Sequence, residues 1–154
     1  MKVCLVASSG GHLKELEFVR NLDIDSAEYF LITESVKEIK GGYDKIYYTE
    51  QINRKEKKVW LKLLKLFFRG KQIIEKEKPD YYISTGALIS IPILILGKFK
   101  KKKVIFIESF ARVESGSLSG RIAYHFADLF IVYWENLLKV YPEAIYITPF
   151  GEKE

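Results

Sequence analysis

Lys2-Val3-Cys4-Leu5-Val6-Ala7-Ser8-Ser9-Gly10-Gly11-His12-Leu13 opens the chain, and its reading decides the fold. The apolar, partly β-branched run from Val3 to Ala7 reads as a buried strand, two glycines punctuate it, and Leu13, Leu16 and Val19 then recur at helical spacing. Strand, tight glycine turn and amphipathic helix in succession make the first unit of an α/β sheet. Further runs rich in β-branched and aromatic residues read as strands at Tyr29–Thr33, Lys45–Thr49, Tyr81–Thr85, Val104–Glu108, Leu129–Tyr133 and Ala144–Thr148, with helical patterns between most of them. The alternation predicts a Rossmann-like, doubly wound parallel sheet with helices on both faces. In such sheets ligands sit beyond the carboxyl ends of the strands.

Length and composition bound what that sheet belongs to. With 154 residues there is room for one domain, expected to run over 1–154. A composition 48% hydrophobic and 29% charged supplies a core and excludes a disordered or collagenous chain. One cysteine rules out an internal disulfide framework, and two histidines leave little for a metal centre, so neither metal nor cofactor is expected. The longest apolar stretch, Ala87 to Leu96, is well short of the roughly 20 residues that span a bilayer, and Pro92 interrupts it. The first residues lack the sections of a secretory signal, which predicts a cytoplasmic protein. A net charge of +5 points to an anionic partner surface: nucleic acid, phosphate-bearing substrate or acidic lipid.

Three strand ends carry unusual chemistry. After the first comes Ser8-Ser9-Gly10-Gly11-His12; after the fourth, Ser84-Thr85-Gly86-Ala87; after the fifth, Glu108-Ser109-Phe110-Ala111-Arg112, followed by Ser115-Gly116-Ser117-Leu118-Ser119-Gly120-Arg121. All three fall on one sheet edge. Gly10 and Gly11 let the backbone turn sharply and approach a ligand, while the helix that follows offers free N–H groups suited to a phosphate or sugar hydroxyl. A plain tight turn is the competing reading, since the spacing fits neither the dinucleotide fingerprint nor the P-loop. His12 is the best candidate for a base, against a capping or packing role. Glu108 closes a strand that reads as buried and either meets a substrate hydroxyl or pairs with Arg112 or Arg121. The charge run Lys98 to Lys103 joins a helix to a strand at the opposite edge and reads as a solvated turn.

Between Lys57 and Arg69 the residues sort on a helical wheel: Lys58, Lys62, Lys65 and Arg69 share one narrow face, and apolar residues fill an arc of roughly 220°. That arc exceeds what one sheet face covers. The excess, with Trp60, Phe67 and Phe68, predicts either insertion at an anionic membrane surface, with Lys62, Lys65 and Arg69 meeting lipid headgroups, or cover by a partner subunit or the core. So broad an apolar arc argues against a nucleic-acid-reading surface, and the missing dinucleotide motif against an oxidoreductase.

Taken together, Ser8 to Leu13, Lys78-Pro79-Asp80 leading to Ser84-Thr85-Gly86-Ala87, Glu108 to Arg121, and Ala127 to Val132 before Trp134-Glu135 resemble one family. It is the acceptor-side subunit of split GT-B glycosyltransferases: capsule and exopolysaccharide half-enzymes, and the membrane-recruiting subunit of the eukaryotic two-part UDP-N-acetylglucosamine transferase of N-glycan assembly. The spacing is also similar to the amino-terminal domain of the single-chain transferase that completes the peptidoglycan lipid precursor, although its second glycine loop is richer than Thr85-Gly86-Ala87. The resemblance implies catalytic roles for His12 and Glu108. It implies acceptor or phosphate contacts for Ser9, Gly10, Gly11, Gly86, Ser109, Arg112 and Arg121.

It further implies a separate donor-binding subunit that brings the UDP-sugar, a polyprenyl-diphosphate-linked saccharide as acceptor, and peripheral attachment to the inner face of the cell membrane. The chain ends at Glu154, soon after its last strand, which predicts that the nucleotide-sugar domain lies on another chain and that the region from Tyr141 to Phe150 faces it. A scaffold that only recruits and activates a catalytic partner is the alternative.

Overall fold

Seven parallel strands stand in the order β3-β2-β1-β4-β5-β6-β7. This is a computed structural model, and it describes residues 1–21, 27–35, 39 and 42–148. The strands are β1 (Lys2–Val6), β2 (Glu28–Glu34), β3 (Lys45–Thr49), β4 (Tyr81–Ser84), β5 (Lys103–Ile107), β6 (Leu129–Val132) and β7 (Ile145–Tyr146). The helices are α1 (Gly11–Arg20), α2 (Val59–Glu77), α3 (Ser90–Phe99) and α4 (Leu118–Tyr124), with a 3-10 turn at Glu135–Lys139. Each strand read from the sequence is present, and the architecture is the expected doubly wound α/β sheet.

Both faces of the central strands are apolar, as parallel strands require when covered on each side. On one face Cys4, Val6, Phe30, Tyr82, Val104 and Phe106 pack under α2, α3, α4 and the 3-10 turn. On the other, Val3, Leu5, Leu31, Ile83 and Ile107 meet Leu13 and Leu16 of α1. Strand order reverses between β1 and β4, so the loops that follow them diverge and leave a crevice at the carboxyl edge.

At the opposite edge α2 ends where Lys78 takes a left-handed conformation (φ 51°) ahead of Pro79, which cannot continue a helix. The lysine run forms the α3–β5 turn there, with Lys98 on Asp128 at 2.8 Å and Lys102 on Asp80 at 2.9 Å. Among the described residues no helix is long and apolar enough to cross a membrane.

The α2 wheel needs correction in two places. Phe67 packs against the core beneath the helix rather than facing outward, whereas Trp60, Leu61, Leu64 and Phe68 are exposed, Trp60 by 61% and Phe68 by 58%. Lys62 and Lys65 are not free cations, because the segment between β3 and α2 brings Glu56 to Lys62 at 2.6 Å and Glu50 to Lys65. Arg69 is exposed beside that pair, lining a shallow groove with Thr49 and Leu66.

Candidate functional site

The loops after β1, β3, β4 and β5 converge on a cavity of about 280 Å³ at the carboxyl edge of the sheet. His12 and Arg112 line it, as do the segment from Gln51 to Arg54, Ala87 and Leu88, and the turn from Ser117 to Ser119. Arg54 and Arg112 are both without an acidic partner within ion-pair distance among the described residues, so two guanidiniums share one polar cavity uncompensated. Guanidiniums bind phosphates bidentately, so two arginines lining one cavity give it the chemistry of an anion site.

His12 stands on the first turn of α1, which starts after Gly10 at φ 96°, a conformation in which glycine is free of Cβ strain. Its ring is fixed by the second glycine loop. Nδ1 lies 2.9 Å from the Thr85 carbonyl, and the Thr85 hydroxyl donates back to the His12 carbonyl at 2.6 Å. A carbonyl only accepts, so Nδ1 carries a proton, and in the neutral imidazole this tautomer leaves the lone pair on Nε2, the form that a general base requires. Gly86 (φ 121°) lies under the imidazole, and a Cβ there would stand 2.9 Å from His12 Cε1. Ala87, which lines the cavity, holds φ at 71° without being glycine; such strain gathers at ligand-binding corners.

Glu108 reaches the same edge as His12, but its surroundings differ from those expected. Its carboxylate is fully buried and accepts from Ser117 N (2.9 Å), the Ser117 hydroxyl (3.1 Å), the Tyr141 hydroxyl (2.9 Å) and Ser109 N (3.1 Å). Neither Arg112 nor Arg121 hydrogen-bonds it. With its lone pairs engaged and no cavity surface, Glu108 holds its loop in place and is not placed to take a proton from an acceptor.

Arg121 is exposed on the last turn of α4 and does not line the cavity. Ser9, Gly10 and Gly11 shape the turn that carries His12 without lining the cavity themselves, and Gly86 is buried below. The Ser109 hydroxyl donates to Glu15 Oε1 at 2.9 Å, and Phe110 N to the same oxygen at 3.2 Å, tying the β5 loop to α1. Burial pushes the Glu15 carboxyl above its usual range, against the pull of the Ser109 hydroxyl and the nearby His12.

Sequence reasoning missed Arg54, Glu15 and Tyr141. Arg54 follows a strand end without a glycine marker, and only a consistent reading of every strand terminus as one rim would have included it. Glu15 stands one turn beyond His12, a spacing visible in the sequence. Tyr141 carries no local signal at all. Among the described residues no cluster of three or more histidine, cysteine, aspartate or glutamate residues is placed to hold a metal ion.

Residues 58–150 match the family described as oligosaccharide biosynthesis protein Alg14 like. The chain is 34% identical over 173 residues to the UDP-N-acetylglucosamine transferase subunit ALG14 of Rattus norvegicus, covering 93% of this chain and 80% of that protein. With the subunit of that name from Homo sapiens it shares 41% identity over 81 residues, 49% of this chain and 38% of that protein. MurG of Acinetobacter baumannii superposes with a TM-score of 0.67 at 14% identity, covering 88% of this chain and 42% of that one. A UDP-GlcNAc 2-epimerase from Methanocaldococcus jannaschii gives 0.70 at 16%, covering 96% and 45%. At such identities these two structures share the fold alone, and this chain spans less than half of either.

Proposed function

The chain belongs to the Alg14-like family of oligosaccharide biosynthesis proteins, and from that premise we propose that it is the acceptor-side subunit of a two-component glycosyltransferase. The reaction moves a sugar from a UDP-sugar, held by a separate donor-binding subunit, onto a polyprenyl-diphosphate-linked saccharide. Its relatives' names supply the nucleotide sugar and the word subunit. A capsular or exopolysaccharide product is part of the same proposal, as are a single domain over 1–154 and a peripheral position on the inner face of the membrane.

One observation carries the acceptor assignment: Arg54 and Arg112, without an acidic partner among the described residues, line a cavity that His12 also lines. The diphosphate of the acceptor sits between the arginines, and its saccharide hydroxyl faces His12 Nε2. The hydroxyl oxygen forms the new bond to the anomeric carbon, the bond from that carbon to the UDP oxygen breaks, and the hydroxyl proton passes to Nε2. Stabilisation of the departing UDP falls to the partner subunit. Trp60, Leu61, Leu64 and Phe68 give the chain an apolar face for the membrane that contains the acceptor.

Glu108's engagement within its own loop favours a second reading, a scaffold that recruits and activates the partner, because it removes one of the two expected bases and leaves His12 alone in that role among the described lining residues. Transfer from UDP-GlcNAc to a detergent-solubilised polyprenyl-diphosphate-linked saccharide, measured with a candidate donor-binding subunit added to this chain, separates the readings. His12→Ala is expected to abolish turnover while the subunits still assemble, and Arg54→Ala with Arg112→Ala to weaken acceptor binding. Wild-type turnover in His12→Ala makes the chain a scaffold; wild-type acceptor binding in the double variant removes the cavity from the reaction.

A further inference from the structure

Tyr141 is distant in sequence from every cavity loop, yet the wall of the cavity is built around its hydroxyl. The ring is buried, stacked obliquely on Phe130 at 4.5 Å and on Tyr124 at 5.0 Å, and the hydroxyl donates to Glu108 Oε2 at 2.9 Å. That oxygen also receives both donors of Ser117, and the Ser117 hydroxyl accepts from Gly120 N at 2.9 Å, capping α4. The two glycines of the Ser115-Gly116-Ser117-Leu118-Ser119-Gly120 stretch make the room: a Cβ on Gly116 would overlap the Tyr141 hydroxyl, and one on Gly120 would overlap Glu108 Oε2.

The loop from Ser109 to Ser117 is thus pinned at both ends. Glu15 and Trp134 Nε1, which donates to the Phe110 carbonyl at 2.7 Å, hold its start; Glu108 and Tyr141 hold its finish. Arg112 and the cavity-lining Ser117 lie on this segment, and the lining residues Leu118 and Ser119 follow it directly at the start of α4. Buried networks of satisfied polar groups specify one arrangement at high stakes, because loss of one member leaves another unpaired.

We propose that Tyr141 is a positioning residue for the anion cavity: acting through Glu108, its hydroxyl fixes the wall that carries Arg112 and Ser117–Ser119 in the arrangement that receives a diphosphate. This rests on the diphosphate reading of the cavity. Tyr141→Phe keeps the ring and its packing and removes only the hydroxyl, so the fold is retained.

Isothermal titration with inorganic pyrophosphate, together with amide hydrogen exchange, tests it on the full chain. The wild type is expected to bind, Tyr141→Phe to bind roughly tenfold more weakly, and Glu108→Gln to be weakened likewise. Amides of residues 112–119 should exchange faster in Tyr141→Phe while those of β1 and β4 keep their protection, a pattern that general destabilisation would not give. Wild-type affinity and wild-type exchange over 112–119 overturn the proposal. If pyrophosphate fails to bind even the wild type, the diphosphate reading falls and exchange alone judges Tyr141: faster exchange confined to 112–119 upholds it as the anchor of the wall, and unchanged exchange removes it.

Discussion

At the scale of single residues, two buried glutamates show how far charge can be read from sequence. Glu108 was legible as a strand-end carboxylate at the right edge, but its role depends on Ser117 and Tyr141, and Tyr141 joins through packing that no local pattern records. Glu77 is the other. Its side chain, on the last turn of α2, is surrounded by Lys2 at 3.0 Å, Lys45 at 3.0 Å and the Tyr47 hydroxyl at 2.5 Å. Burial pushes its carboxyl up, but the Tyr47, Lys45 and Lys2 contacts outweigh burial and hold it down at about 2, against an ordinary 4.5. A carboxyl depressed in the folded state contributes stability above its unfolded value, and that contribution fades as pH falls from 4.5 towards 2. Glu77→Gln is therefore expected to lose about 3 kcal/mol at neutral pH and to flatten the acid limb of stability over that window. Urea unfolding of both proteins across pH checks it; parallel pH profiles would assign the acid transition to other groups.

At the scale of elements, the strands were legible because each is a short β-branched or aromatic run bounded by turn residues, and burial on both faces demands that composition. The Gly-rich turn and His12 were legible for a related reason, since a corner that approaches a ligand needs glycine before the helix starts. Helix orientation was less so: a wheel finds the apolar arc of α2 but not which part meets α3 and the sheet. Leu66 and Phe67 turn inward, and the arc through Trp60, Leu64 and Phe68 turns out. The lysines expected to meet lipid are engaged instead by Glu50 and Glu56, from a segment whose arginine completes the cavity. Phe67→Ala should accordingly lose about 2 kcal/mol of stability, whereas Phe68→Ala should change it by less than about 0.5 kcal/mol. Trp60→Glu with Phe68→Glu should stay folded and lose co-sedimentation with vesicles containing anionic lipid. Equal sedimentation of that variant and the wild type would remove this arc as a membrane-contacting face.

For the whole molecule, the two faces of the sheet are unequally covered. Among the described residues α2, α3, α4 and the 3-10 turn pack on one face, and α1 is the one helix whose side chains join the core of the other. Ile107, Ile131 and Ile145 stand side by side on that second face, and Ile145 and Ile147 at the sheet edge are 51% and 46% exposed. Parallel sheets are stable with both faces covered, and among the described residues β7 is an edge strand, the position at which another chain can add to a sheet. This edge falls within the region from Tyr141 to Phe150 expected to face the donor-binding subunit, of which 149–150 lie outside the described residues. An apolar row that continues from the core to an exposed edge suits a lasting heteromer, whose interfaces are depleted in charge at their centre. Ile145→Glu with Ile147→Glu places two charges on that row at positions already open to water, so the isolated chain should keep its thermal stability. Size-exclusion chromatography with the donor-binding subunit should then show the complex lost, and sugar transfer should fall with it while pyrophosphate binding by the chain alone persists. A complex that forms normally with this variant would place the junction away from β7.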